Sequence, residues 1–220
     1  MKKYRILNLY ACLGGNRYKW DEVSDNIEIT AVELDPALAE LYQMRFPSDT
    51  VLIADAHQYL LDNYKSFDFI WSSPPCPSHS RARFARRNTT KSAYPDMSLY
   101  QEIIFLSHWF PGKYVVENVI PYYKPLIPAR QRGRHLFWTN FNLPANLNER
   151  PSPLMASDGE LAAWCAFHEF DFYQYKGKQR ADKIARNMVD FEAGRTIFET
   201  AIRVASQSTT RQVLLFDALP

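Results

Sequence analysis

Three features of the sequence predict an α/β fold, a mainly parallel sheet with helices on both faces. Short β-rich runs alternate with helical stretches over the first two thirds of the chain, the pattern of strand, crossover helix and strand. A length of 220 residues gives one such domain a substantial core and leaves room for a small lobe, but not for a second full domain. A glycine pair, Gly14-Gly15, follows the first β-rich run, where open α/β sheets hold their ligands.

The elements follow in order. Strands are expected at residues 4–10, 27–32, 50–53, 67–71, 114–117 and 135–139. Between the second and third, residues 36–45 read as a helix with Pro36 in its first turn and Asp35 as its cap. Residues 97–109 form another, carrying Leu99, Ile103, Leu106 and Phe110 at helical spacing. From 140 to 178 the pattern weakens around Pro144, Pro151 and Pro153, and the aromatic stretch Trp164, Phe167, His168, Phe170, Phe172, Tyr173, Tyr175 suggests an insertion or small lobe. Helical character returns over 191–205, and 213–216 could pack as a final short strand. The expected division is a core at 1–139, the lobe at 140–178 and a segment at 179–220 that returns to the core.

A hydrophobic fraction of 46% with 23% charged residues is ordinary for a globular protein and argues against disorder. The N-terminal stretch lacks the pattern of a secretory signal, and no apolar run reaches the ~20 residues a membrane span needs. Cys12, Cys76 and Cys165 are odd in number and lack metal-ligand spacing, so neither a disulfide framework nor a zinc site is suggested, and the expected compartment is a reducing cytoplasm. The formal charge of +2 is unevenly spread: Arg81, Arg83, Arg86, Arg87 and Lys91 form an acid-free run, with further clusters at Arg130, Arg132, Arg134 and at Lys176, Lys178, Arg180, Lys183. Such runs are either solvated loops or parts of a nucleic-acid surface.

Candidate chemistry gathers at the ends of the expected strands. Glu33 ends the second strand about 20 residues past the glycines, where an acid can accept hydrogen bonds from ribose hydroxyls. Asp55, after the third strand, could meet an adenine amino group, or simply cap the helix expected at 56–62, as Glu33 could simply be a surface acid. The fourth strand runs into Ser72-Ser73-Pro74-Pro75-Cys76-Pro77-Ser78-His79-Ser80, where prolines remove amide donors and hold the chain extended, presenting Cys76 at the sheet edge. A lone cysteine is more often a small buried hydrophobe, but only a thiolate is nucleophilic, and arginines that could favour one lie nearby. Glu117 ends the fifth strand on the same edge. Arg132 and Arg134 alternate around Gly133, so both could point to one face, and a thiol, a carboxylate and two guanidiniums would converge on one pocket.

With these residues in hand, the chain resembles the DNA cytosine-5 methyltransferases, in a compact form, over residues 5 to about 202. Leu9-Tyr10-Ala11-Cys12-Leu13-Gly14-Gly15 is similar to the family's first cofactor motif and Pro74-Pro75-Cys76 to its nucleophile motif. Glu117-Asn118-Val119 is similar to its Glu-Asn-Val motif, Arg130-Gln131-Arg132-Gly133-Arg134 to Gln-x-Arg-x-Arg, and Arg186-Asn187-Met188-Val189 to the C-terminal Asn-x-Val motif. The resemblance implies a Rossmann-like methyltransferase fold and S-adenosylmethionine as cofactor, held by Tyr10, Leu13, Gly14, Gly15, Glu33, Leu34, Asp55, Ala56, Pro74, Asn187 and Val189. It implies that Cys76 adds to carbon 6 of a cytosine flipped out of DNA and makes carbon 5 nucleophilic. Glu117 would hydrogen-bond or protonate ring N3, which requires burial to favour its neutral form, and Arg134 with Arg132 would hold the base. Ser80, Arg81, Arg83, Arg86, Arg87 and Lys91 would contact DNA, taken as double-stranded, from a loop beyond the nucleophile.

The chain departs from the family pattern at Cys12 (a usual glycine), Asn8 (a usual aspartate), Pro77 (a usual glutamine), Arg130 (the motif's glutamine) and Asp190-Phe191 (usual prolines). The region between Arg134 and Lys178, where the family carries a sizeable target-recognition domain, is very short, implying a short or relaxed recognition sequence or a partner protein that reads the target. Rival readings are an exocyclic amino-methyltransferase using Ser73-Pro74-Pro75, a cytosine methyltransferase acting on RNA, and a catalytically silent nucleic-acid-binding subunit.

Overall fold

The computed structural model describes residues 3–89, 91–153 and 159–216, with those from 206 onward as backbone only. Seven strands, β1 (Tyr4–Leu9), β2 (Ile27–Glu33), β3 (Thr50–Ile53), β4 (Phe69–Ser72), β5 (Lys113–Val119), β6 (Arg130–Arg132) and β7 (His135–Thr139), form one sheet in the order β3-β2-β1-β4-β5-β7-β6. The pairs among β1 to β5 are parallel, whereas β7 runs antiparallel to both β5 and β6. Strand order reverses between β1 and β4, so a crevice opens at their carboxyl ends. The glycine turn and the Cys76 loop flank it.

Adjacent residues of each strand feed opposite faces, as the two-residue period of a strand requires. Ile6, Phe69, Trp71, Val115 and Phe137 pack with Trp20 against α7 (Phe191–Phe216) through Ala193, Ile197, Phe198 and Ala201. Leu7, Ile70, Val116, Leu136 and Trp138 face the other way, onto α2 (Ala56–Asn63) and α4 (Ser98–Trp109). In α4 the periodic residues Leu99, Ile103 and Leu106 are all buried, each contributing about 1.5–3 kcal/mol relative to exposure. Helix α1 (Pro36–Arg45) begins where the sequence reads it, with the Asp35 carboxylate accepting from the Ala37 amide at 3.0 Å. A buried ion pair ties its end to the glycine turn: the Arg17 guanidinium donates to both oxygens of Asp49 at 2.9 Å.

The remaining helices are α3 (Arg81–Ala85), α5 (Glu160–His168) and α6 (Ala181–Asn187). Residues 213–216, expected as a strand, continue the α7 helix; the run is helical because no turn signal interrupts the chain after residue 191, and a short apolar run carries no period of its own to oppose its neighbours. The aromatic stretch after residue 160 is folded inward. Trp164, Phe172 and Tyr175 are buried with Leu13, Leu38, Ile184 and Met188, and the Tyr175 hydroxyl donates to Asp35 at 2.7 Å. Leu154, Met155, Ala156, Ser157 and Asp158, within the expected lobe, lie outside the described residues.

Candidate active site

The loop after β4 carries Cys76, and its position is fixed from the neighbouring strand. Asn118 of β5, buried, donates from its side-chain amide to the Pro74 carbonyl at 2.9 Å and accepts from the Val119 amide at 2.9 Å. Because proline supplies no amide donor, this side-chain contact anchors a segment that cannot continue the ladder. The Cys76 carbonyl then accepts from His79 and Ser80 at 3.0 and 3.1 Å, closing a turn that leads into α3. Ser80 caps that helix, accepting from Ala82 at 3.2 Å.

Cys76 lines a cavity of about 540 Å³ with Ser80, Arg83, Arg86, Arg134, Lys183 and Asn187. Burial pushes its thiol up, the Glu117 carboxylate adds to the rise, and Lys183 and Arg134 oppose it. Glu117 is 6% exposed. Its Oε1 lies 3.6 Å from Nε2 of His135, a buried residue of β7 whose Nδ1 is in turn 3.9 Å from Glu149. Sequence reasoning missed His135: it follows Arg134 directly, and only the antiparallel pairing of β7 with β5 brings it to Glu117.

The two arginines separate. Residues 133 and 134 form a two-residue turn between β6 and β7, because Arg132 pairs with His135 and Gly133 adopts φ +50°. The expected alternation holds only along a continuous strand, so Arg132 does not share Arg134's direction. Arg132 instead donates to the Pro144 and Gln131 carbonyls at 2.8 and 2.9 Å. The Arg134 guanidinium enters the cavity, donates to the Arg186 carbonyl at 2.6 Å and lies 5.8 Å from the Trp164 ring; burial holds its pKa below the ordinary value, against the pull of Glu117. Thus Cys76, Glu117 and Arg134 come together and Arg132 stands outside.

The basic run divides by helical geometry. Ser80, Arg83 and Arg86 lie three residues apart and share the cavity face. Arg81 points away, donating to the Pro121 carbonyl at 3.2 Å beside a second groove of about 580 Å³ that also holds Tyr122 and Lys124. Arg87 lies 5.0 Å over the Phe84 ring, and the Lys91 carbonyl accepts from Arg83 at 2.5 Å. Neither Arg87 nor Lys91 lines the Cys76 cavity.

On the other side of the crevice, Tyr10 and Cys12 adopt φ of 55° and 49°, so the turn holds two side chains in the left-handed region where glycine is usual. The Tyr10 hydroxyl donates at 2.6 Å to Glu102 of α4, buried below the turn, and burial pushes the Cys12 thiol up to about 12. Glu33 accepts from the Cys12 amide at 2.8 Å and from Asp35 at 2.9 Å, which leaves lone pairs for further donors. Leu34 beside it is 67% exposed. Asp55 caps α2, accepting from Gln58 at 3.0 Å, and Ala56 is buried beneath it. The glycines are required by protein packing: a Cβ on Gly15 would stand 2.6 Å from the Val189 carbonyl, and one on Gly14 2.4 Å from the Phe46 ring. Leu13 and Val189 are buried, and Asn187 lines the cavity. An exposed apolar side chain flanked by two carboxylates at the crevice is chemistry that fits a nucleoside cofactor.

A family model described as C-5 cytosine-specific DNA methylase matches residues 4–121, more than half of the chain. Among solved structures, the chain is similar to Spodoptera frugiperda DNMT2 at 25% identity, covering 53% of this chain and 36% of that one, with a TM-score of 0.39. It is also similar to the Entamoeba histolytica methyltransferase EhMeth at 14% identity, covering 54% and 39%, with a TM-score of 0.35. The chain thus spans well under half the length of either protein, and at such TM-scores the likeness carries no weight. No curated protein sequence matches it.

Proposed function

The chain belongs to the C-5 cytosine-specific DNA methylase family, and we propose that it transfers a methyl group from S-adenosylmethionine to carbon 5 of cytosine in DNA, with Cys76 as nucleophile. The observation that carries this reading is that Cys76 and Arg134 line one cavity beside the crevice between β1 and β4, with the charge of the buried Glu117 acting on both. S-adenosylmethionine would supply the electrophilic methyl group. Glu33, Leu34 and Asp55 would hold its nucleoside end, with Val189 and Asn187 approaching from the C-terminal segment.

The Cys76 thiolate forms a bond to carbon 6 of the base, and the electrons of the 5,6 double bond pass to carbon 5, which takes the methyl group. Passage of the carbon 5 proton to a water molecule then restores the double bond and expels the thiolate. Glu117, buried next to His135, hydrogen-bonds the edge of the ring at N3. Arg134, fixed by the Arg186 carbonyl and by Trp164, faces the charge that develops on the base. A base inside a duplex cannot reach this cavity, so the target nucleotide is flipped out. Arg83 and Arg86 take neighbouring phosphates. Trp164, Phe172 and Tyr175 are spent on the core, and the region between Arg134 and Lys178 is short, which supports a short recognition sequence or a partner protein that reads the target.

The test is expression in methylation-deficient cells beside Cys76→Ala, with methylated nucleosides in digested DNA and RNA quantified by mass spectrometry. The expected result is 5-methylcytosine in DNA, reduced at least a thousandfold in the variant. Methylation on an exocyclic nitrogen, or methylation that survives loss of Cys76, overturns the reading, and 5-methylcytosine confined to RNA reassigns the substrate.

A further inference from the structure

We propose that Lys183 of α6 is the positioning residue that pairs the Cys76 thiolate and makes it available near neutral pH. The inference rests on Cys76 being the nucleophile, but its consequence is readable without methyl transfer.

A half-buried thiol beside a carboxylate is a poor nucleophile, and a cation that is not already committed would favour its ionisation. Arg134 gives its guanidinium to the Arg186 and Met188 carbonyls and also faces Glu117. On α6 and its N-cap three cations line the cavity with Cys76. Arg180 is held by Asp182 at 2.9 Å, and Arg186 is held by Asp182 and by Glu160 at 3.5 Å. The Lys183 side chain has no ion pair or hydrogen bond among the described residues. The groups that bear on the thiol are therefore Glu117 from β5, which opposes its ionisation, and Lys183 from α6 and Arg134 from the β6–β7 turn, which favour it. Arg83, Arg86, Arg180 and Arg186 line the same cavity. Asp182, one residue before Lys183, holds both flanking arginines, so the carboxylate nearest Lys183 in sequence is spent on them. On ionisation the thiol proton leaves to solvent and the ammonium remains beside the sulfur.

The experiment is alkylation of the full-length protein by iodoacetamide across mildly acidic to alkaline pH, with Cys76 modification read by peptide mass spectrometry. Lys183→Met is expected to move the Cys76 midpoint up by about half to one pH unit and to slow alkylation at neutral pH roughly three- to tenfold. Lys183→Arg restores the midpoint, because it restores the charge. Arg180→Gln leaves the midpoint in place, because its charge is held by Asp182. Cys165 in the same digest reports whether the fold is kept, and Lys183→Gln is a second neutral variant should Lys183→Met disturb it. An unchanged midpoint in the neutral variants overturns the inference, as does an equal shift in Arg180→Gln. If the midpoint shifts while Cys76→Ala still methylates, the pairing stands and the nucleophile reading fails. If methylation needs Cys76 but the midpoint stays, only the pairing fails.

Discussion

At the scale of single residues, the site depends on small contacts that hold the Cys76 loop still. Asn118 matters more for what it grips than for its place in a motif. Its side chain satisfies the Pro74 carbonyl and the Val119 amide together, and it is 2% exposed, so water cannot replace it. Asn118→Ala should cost about 1–3 kcal/mol in urea unfolding. It should also lower methyl transfer more than that loss of folded protein explains, because Cys76 loses its tether to β5. The cysteine, the carboxylate and Arg134 were legible as residues, since prolines and strand ends mark them. His135 was not, because nothing local distinguishes a histidine inside a strand from any other core residue. Arg132 misled for a related reason: alternation is read along one strand, and the turn at Gly133 breaks it. Asp190, which departs from the expected proline, has a local role instead, accepting from the Glu192 amide at 2.8 Å as the cap of α7.

At the scale of elements, α5 and α6 close the molecule over the glycine turn through a buried histidine. His168 is fully buried, stacks on Trp164 at 5.6 Å, and lies with Nε2 2.9 Å from the Ala185 carbonyl, so that nitrogen carries the proton. Burial pushes its pKa down to about 3. The unfolded chain binds a proton at this residue near pH 6.5 and the native chain does not, so its contribution to stability is lost as pH falls below 6.5 and toward 3. Between pH 7 and pH 5 this amounts to about 2 kcal/mol. Denaturant unfolding at the two pH values should show that difference in the parent and a smaller one in His168→Gln; equal differences would remove His168 from the account. Helix α1 was legible from its cap and first-turn proline and α4 from its apolar period, because both signals are local. The short α5 and α6 follow the proline-interrupted stretch at 144–153, and their buried faces are defined by partners such as Leu13 and Leu38 from far earlier in the chain.

At the scale of the whole molecule, a formal charge of only +2 conceals a cavity wall built from Arg83, Arg86, Arg134, Arg180, Lys183 and Arg186. If about three phosphates meet these side chains, affinity for a DNA duplex should fall roughly 40-fold between 50 and 200 mM salt, since the logarithmic slope is about −0.9 per phosphate. Fluorescence anisotropy with a labelled duplex measures it, and a flat salt dependence would remove this wall from the DNA interface. By itself the sequence determined the fold class, most strands and helices, and the family, because periodicity, caps and proline or glycine punctuation are properties of neighbouring residues. The tertiary structure alone decided which charges face Cys76. Helical spacing split Arg83 and Arg86 from Arg81, the tight turn split Arg134 from Arg132, and the C-terminal segment brought Lys183 to a cysteine more than a hundred positions away. A charge acts through distance in space, and sequence order does not encode that distance until the sheet edge, the turn and α6 are in place.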